Sequence, residues 1–186
     1  ADLVRSVCTA RPTDDPHLVV LPELWAPTGF SHQRWQERAE PVDGPVGSAM
    51  SALAAECGVL LHAGSIVERL DSPGEEGKSL SNTSLFYGPT GERLAVYRKI
   101  HRFGFGSGEP RLMEAGSELA AVELSGGHPA ALSTCYDLRF PELYRRQLDA
   151  GAEVFVVPAA WPTPRVPAWT LLGRARAVEN QCFLIA

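Results

Sequence analysis

Ser133-Thr134-Cys135-Tyr136-Asp137-Leu138-Arg139-Phe140-Pro141-Glu142 closes one apolar run, Ala130-Ala131-Leu132, and leads into a helix-like segment. Pro141 suits a first helical turn, where its fixed φ and missing N–H cost nothing. The pattern predicts a helix from there to about Ala150 and a buried strand over Val154–Val157. Strand, corner, helix, strand is the unit of an α/β chain. It sets a thiol, Cys135, on the corner. Cysteine often fills a core, but at a strand end it is also placed to act as a nucleophile.

Outward from that stretch the same alternation continues. Leu3, Val4, Val7 and Cys8 have helical spacing, and Pro12 ends that segment. Leu18-Val19-Val20-Leu21 is a continuous apolar run, as expected of a strand covered on both faces. Val46, Met50, Leu53, Ala54 and Cys57 mark one helix face, stopped by Gly58, and Val59–Val67 reads as the next strand. Asp71–Ser79 is a polar loop. Thr83–Tyr87 and Leu94–Tyr97 flank the turn Gly88-Pro89-Thr90-Gly91 as a single hairpin. His101–Gly116 is a long glycine-rich loop, too aromatic for a plain linker. Leu171, Ala175, Val178 and Cys182 line one face of a last helix. The expectation is one α/β domain over 1–186 with a mixed sheet and one hairpin.

The totals bound the function. Among 186 residues, 45% are hydrophobic and 21% charged, enough for one sizeable core. A net charge of -5 without a dense Lys/Arg cluster argues against nucleic acid. No apolar run approaches the roughly 20 residues that span a bilayer. Cys8, Cys57, Cys135 and Cys182 form no CxxC pair, and His17, His32, His62 and His128 show no ligand spacing with one another. No metal and no cofactor is therefore expected, and free thiols fit a reducing cytoplasm.

Glu23, Lys99 and Cys135 each stand at the C-terminal end of a strand-like run, where open α/β sheets bind ligands. If those strands are neighbours, the three side chains share one pocket. A thiol needs a base or a cation to attack. Glu23 can take its proton, with a carboxyl pKa raised by partial desolvation. Lys99 can favour the thiolate and then hold an oxyanion, assisted by the Tyr136 N–H at the corner. This set suits acyl transfer from an amide or nitrile to water.

Leu21-Pro22-Glu23, Tyr97-Arg98-Lys99-Ile100-His101 and Cys135-Tyr136-Asp137-Leu138-Arg139-Phe140-Pro141-Glu142, with Arg174–Asn180 behind them, resemble the nitrilase or carbon–nitrogen hydrolase superfamily in motif order and spacing. The resemblance implies a four-layer αββα sandwich. It also implies Glu23 as general base, Lys99 as oxyanion stabiliser and Cys135 as the nucleophile of a thioester acyl-enzyme. A second active-site glutamate is expected in the loop after the lysine, and Glu109 is the candidate. Against the family pattern the sandwich is truncated at both ends: a first strand is expected before Ala1, and closing strands and a helix after Ala186. Full-length relatives commonly form homodimers or higher homo-oligomers through the outer helices.

The residues after Cys135 resemble the branch of omega-amidases and deaminated-glutathione amidases. They differ from the Trp-Glu of true nitrilases and the Asn-Asp-Arg-Arg of N-carbamoyl amino acid hydrolases. The substrate implied is a small carboxylated amide, with N-carbamoyl hydrolysis or a silent, oligomer-forming relative as alternatives. His101, Arg102 and Arg111 are candidates to bind its carboxylate; Tyr136 and Trp161 are candidate pocket walls. Arg139 and Glu142 read as a charge pair or cap at the helix start. A thiol hydrolase pairing Cys135 with His101 would leave Glu23 and Lys99 unexplained.

Overall fold

The computed structural model describes residues 1–10, 17–26, 29 and 31–186. Pro12, the expected end of the first helix, lies outside them. In chain order the elements are α1 (Asp2–Thr9), β1 (Leu18–Val20), α2 (Trp35–Arg38), α3 (Pro45–Cys57), β2 (Leu60–Arg69), β3 (Leu80–Tyr87), β4 (Arg93–Arg98), α4 (Glu109–Leu112), β5 (Ala121–Leu124), β6 (His128–Leu132), α5 (Pro141–Asp149), β7 (Val154–Val156), α6 (Val166–Asn180) and β8 (Phe183–Ile185).

The strands form two four-stranded sheets, β1-β2-β3-β4 and β5-β6-β7-β8. In the first, β1 runs parallel to β2 and the rest pair antiparallel. In the second, β5 and β6 make a hairpin, and β6, β7 and β8 run parallel. A single mixed sheet with one hairpin is thus corrected to two sheets with an antiparallel part in each. The β5 strand was missed because only Val122 of its four residues is buried, and alternation over so short an edge strand is weak.

The side-chain period of two divides the core into layers. Leu61, Ala63 and Leu85 face Val4, Met50, Leu53 and Ala54 of α1 and α3. Leu60, Phe86 and Tyr97 point the other way, onto Val122, Ala130, Leu132, Val154 and Val156 of the second sheet. Ala131 and Phe155 face Leu143 and Tyr144 of α5, with Leu172 of α6 packed alongside. The result is helices, sheet, sheet, helices: the αββα sandwich. Fully burying Phe86 in the middle of it contributes roughly 1.5–3 kcal/mol.

Two helices depart from the expected faces. Leu3 and Val7 of α1 are exposed, and only Val4 is buried. In α6 the buried positions are Gly173, Arg176 and Asn180, whereas Leu171 and Val178 are 69% and 77% exposed. Cys182 lies past the helix end. Arg176 is held inside by its bond to the Leu138 carbonyl, so two polar residues, Arg176 and Asn180, take inner positions while Arg174 and Glu179 stay exposed. No helix among the described residues is long and apolar enough to cross a membrane.

Candidate active site

Glu23, Lys99 and Cys135 do not come from neighbouring strands. Glu23 follows β1 and Lys99 follows β4, opposite edges of the first sheet, and Cys135 follows β6 in the second. They meet because the sheets pack face to face and all three chain ends open on the same rim.

Each side chain is aimed by its local backbone. Gly64 forms a bulge in β2 with φ +65, and a Cβ there would sit 2.0 Å from the Pro22 carbonyl. That close approach carries the chain under Leu21-Pro22. The Ser65 hydroxyl then accepts the Leu24 N–H at 3.0 Å, fixing a left-handed Leu24 (φ 47) beside Glu23. Along β4, alternation sends Tyr97 inward and Arg98 outward to a two-pronged ion pair with Glu68, which leaves Lys99 inward again. Cys135 itself has φ 48, a strained setting for a residue with a side chain and a mark of functional corners. Its N–H bonds the Pro158 carbonyl at 2.9 Å, past the end of β7.

Asp137 holds this corner together. Its carboxylate accepts the Thr134 N–H at 2.9 Å, the Tyr97 hydroxyl at 2.7 Å and the His101 N–H at 2.9 Å. The His101 ring contacts it at 2.8 Å through Nδ1 and stacks on Phe140 with centroids 3.7 Å apart. His101 is therefore committed to Asp137 and Phe140, and is absent from the residues lining the cleft over Cys135.

The centre is a buried charge cluster. Lys99 Nζ donates to Glu23 Oε1 at 2.7 Å and to Glu109 Oε2 at 2.9 Å, and all three residues are fully enclosed. Glu109 opens the short α4, inside the loop expected to carry a second glutamate. Glu23 Oε2 accepts the Ala160 N–H at 3.0 Å. Asn82, which sequence reasoning missed, donates through Nδ2 to Glu23 Oε1 at 2.9 Å and also to Glu109 Oε1. It lies opposite Lys99 across the β3–β4 ladder, where the Lys99 N–H bonds the Asn82 carbonyl. Extending the predicted hairpin by one residue pair would have found it.

Electrostatics set the resting protonation. Burial pushes the Glu23 carboxyl up, but the Lys99 charge and the hydrogen bonds from Lys99, Cys135 and Ala160 outweigh it and hold the pKa below its ordinary value. This corrects the raised pKa expected from partial desolvation. Burial also opposes the Lys99 ammonium, yet Glu23 and Glu109 raise its pKa, so it stays charged. Burial first, then the Glu23 charge, lift the Cys135 thiol well above its ordinary value, and Lys99 offsets only part of this. Two carboxylates around one ammonium already leave one net negative charge, which disfavours a second anion on sulfur. The resting pair is a neutral thiol beside an ionised carboxylate, not the thiolate expected from Lys99.

Above Cys135 the cleft is walled by Phe103, Tyr136, Trp161 and Pro162, with Arg139 and Arg165 among its lining. It is narrow, about 10 Å³, room for roughly one small group. The Arg139 guanidinium lies 5.1 Å from the Trp161 ring centroid and 5.9 Å from that of Tyr136; Arg165 lies 5.9 Å from Phe103. Arg139 forms no ion pair with Glu142 among the described residues, so it is a cleft residue rather than half of a helix-capping pair. Arg102 pairs with Glu76 at 2.8 Å, and Arg111 lies outside the cleft lining. Tyr136 and Trp161 are brought to the cleft; His101, Arg102 and Arg111 are not.

Residues 9–186 match the model of the carbon-nitrogen hydrolase family. The chain belongs to that family. Among curated carbon–nitrogen hydrolase relatives, the 2-oxoglutaramate amidase of Paenarthrobacter nicotinovorans is 46% identical over 171 residues, covering 90% of this chain and 58% of its own. Among solved structures, XC1258 of Xanthomonas campestris, a CN-hydrolase superfamily protein with an arsenic adduct in its active site, is 33% identical with a TM-score of 0.82. It covers 98% of this chain and 66% of its own. A mutant amidase of Nesterenkonia sp. AN1, 28% identical with a TM-score of 0.72, covers 98% of this chain and 68% of its own, and carries acrylamide added to its active-site cysteine. The chain spans 47% to 62% of the length of the curated relatives it matches.

Proposed function

We propose that the protein hydrolyses the C–N bond of a small carboxylated amide through a thioester on Cys135, releasing ammonia. The observation that carries the reading is the enclosed Glu23–Lys99–Glu109 cluster beneath a thiol that opens into an aromatic cleft. Cys135 gives its proton to Glu23 as its sulfur attacks the amide carbon. The oxyanion is met by Lys99, whose Nζ contacts Glu23 Oε1 at 2.7 Å and both Glu109 oxygens, at 2.9 and 3.1 Å, and turns the N–H of its longest contact toward the oxyanion, and by the Tyr136 N–H, the second of the turn Cys135–Arg139. Glu23 then passes the proton to the departing nitrogen, and ammonia leaves the thioester. Water attacks next, giving a proton to Glu23, and the sulfur regains it as the acid departs.

The cleft supports the substrate class. Its floor fits little more than an amide head, so the rest of the substrate lies along the wall toward Arg139 and Arg165, which take the carboxylate-binding role first expected of His101, Arg102 and Arg111. The 2-oxoglutaramate amidases among the relatives point the same way. Exposed Leu171 and Val178 on α6 support a homo-oligomer, and four free thiols support a reducing cytoplasm.

The test is ammonia release from a panel of small amides, α-ketoglutaramate and N-carbamoyl amino acids included, with Cys135→Ala as control. Ammonia from the carboxylated amide alone, lost in the variant, is expected. Carbon dioxide released with ammonia would favour the carbamoyl reading instead.

A further inference from the structure

We propose that Asn82 is the positioning residue of this site: it ties Glu23 to Glu109 and leaves Oε2 of Glu23 as the oxygen that exchanges a proton with Cys135. The inference rests on the reading of Glu23 as the base and adds to it which oxygen acts and what selects it.

A carboxylate oxygen offers two lone-pair sites. At Glu23, Oε1 is filled by Lys99 Nζ at 2.7 Å and Asn82 Nδ2 at 2.9 Å. Among the described residues Oε2 accepts one backbone bond, from the Ala160 N–H at 3.0 Å, and so keeps its second site for the Cys135 thiol. The second Asn82 N–H goes to Glu109 Oε1, the other carboxylate on Lys99. One neutral amide thus fixes the rotation of both carboxylates around the ammonium without adding charge. A lysine or arginine could make the same two bonds, but its charge would cancel the cluster's negative charge and weaken the base.

Asn82 reaches no reacting atom in this arrangement, and its Oδ1 is enclosed without a hydrogen-bond partner among the described residues. Leaving a buried acceptor unmatched is unfavourable. The side chain nevertheless keeps the orientation that points Nδ2 at the two carboxylates, so those two bonds outweigh the one forgone. The groups facing Glu23 are Lys99 from the end of β4, Asn82 from β3, Cys135 from the corner after β6 and the Ala160 N–H after β7, with Glu109 of α4 behind Lys99.

The experiment compares the full chain with Asn82→Asp, which keeps the shape and loses the donors, and Asn82→Ala, which loses them without adding charge. Peptide-resolved mass spectrometry follows alkylation of Cys135 by iodoacetamide against pH, a readout that needs no turnover. Thermal unfolding identifies the folded variants; if Asn82→Asp does not fold, Asn82→Ala decides. The acid-side limb of the rate is expected to move up by at least about one pH unit, some tenfold slower alkylation on that limb, because Glu23 has lost a donor to its ionised form. A limb that stays within about 0.3 of a unit of the unaltered chain overturns the assignment, even if overall rates fall. A chain that releases no ammonia from any amide would retire the amidase reading, while the alkylation limb still decides the role of Asn82.

Discussion

Lys99 Nζ lies 2.7 Å from Glu23 Oε1, although the two residues follow strands at opposite edges of one sheet and are 76 positions apart in sequence. The pair is enclosed, and Lys99 is shared with Glu109. Breaking a buried pair from one side leaves charge without compensation and typically costs about 3–5 kcal/mol. Lys99→Met should therefore lower stability by that order as well as abolish turnover. Urea unfolding of the variant checks the first half; a loss below about 1 kcal/mol would mean that water reaches the carboxylates.

His62 adds a second buried titration. It is fully enclosed on β2, its Nδ1 accepts the Gly64 N–H, and its Nε2 has no hydrogen-bond partner among the described residues. Burial lowers its pKa from 6.5 to about 4. The unfolded chain thus binds a proton there that the folded chain refuses. Stability is full above about pH 6.5 and falls as the pH drops toward 4, by about 3 kcal/mol from this residue. His62→Leu should flatten the dependence of Tm on pH across that window; an unchanged slope would assign the acid loss to other groups.

Asp137 accepts three hydrogen bonds that join the Cys135 corner to β4 and to the loop after Lys99. Asp137→Ala strands those donors, at about 1–3 kcal/mol for each that stays buried. We expect a large drop in Tm and loss of Cys135 alkylation selectivity, with Asp137→Asn intermediate because one oxygen remains.

Arg165 tests the reading of the substrate. An arginine–carboxylate hydrogen bond is worth about 1.5–3 kcal/mol, so Arg165→Gln should raise KM for a carboxylated amide about 10- to 100-fold with kcat little changed. A neutral amide of equal length should be unaffected. Equal losses on both substrates would make Arg165 a packing residue of the Phe103 wall.

Much of this architecture is legible in the chain. Gly58 has φ 60 at the end of α3, Pro141 opens α5, and the Gly88–Gly91 turn joins β3 to β4, because each of these signals acts through its own backbone. The three reactive residues are legible as strand ends for the same reason. Their meeting is not, because it depends on how two sheets stack, and no local pattern records that. The outward apolar face of α6 misled for a related reason: Leu171 and Val178 have core spacing, while Arg176 takes the inner face through a bond to a carbonyl 38 positions away. Protonation was the least accessible feature. The neutral state of Cys135 follows first from its burial and then from the Glu23 charge beside it, and a strand-end pattern supplies neither.

The most direct test of the account is intact-mass analysis of the protein quenched during turnover of a carboxylated amide. An added acyl group, the amide less its ammonia, is expected on Cys135, formed with stoichiometric ammonia release and absent in Cys135→Ala. Ammonia release that persists in Cys135→Ala, with no adduct on any cysteine, would contradict it.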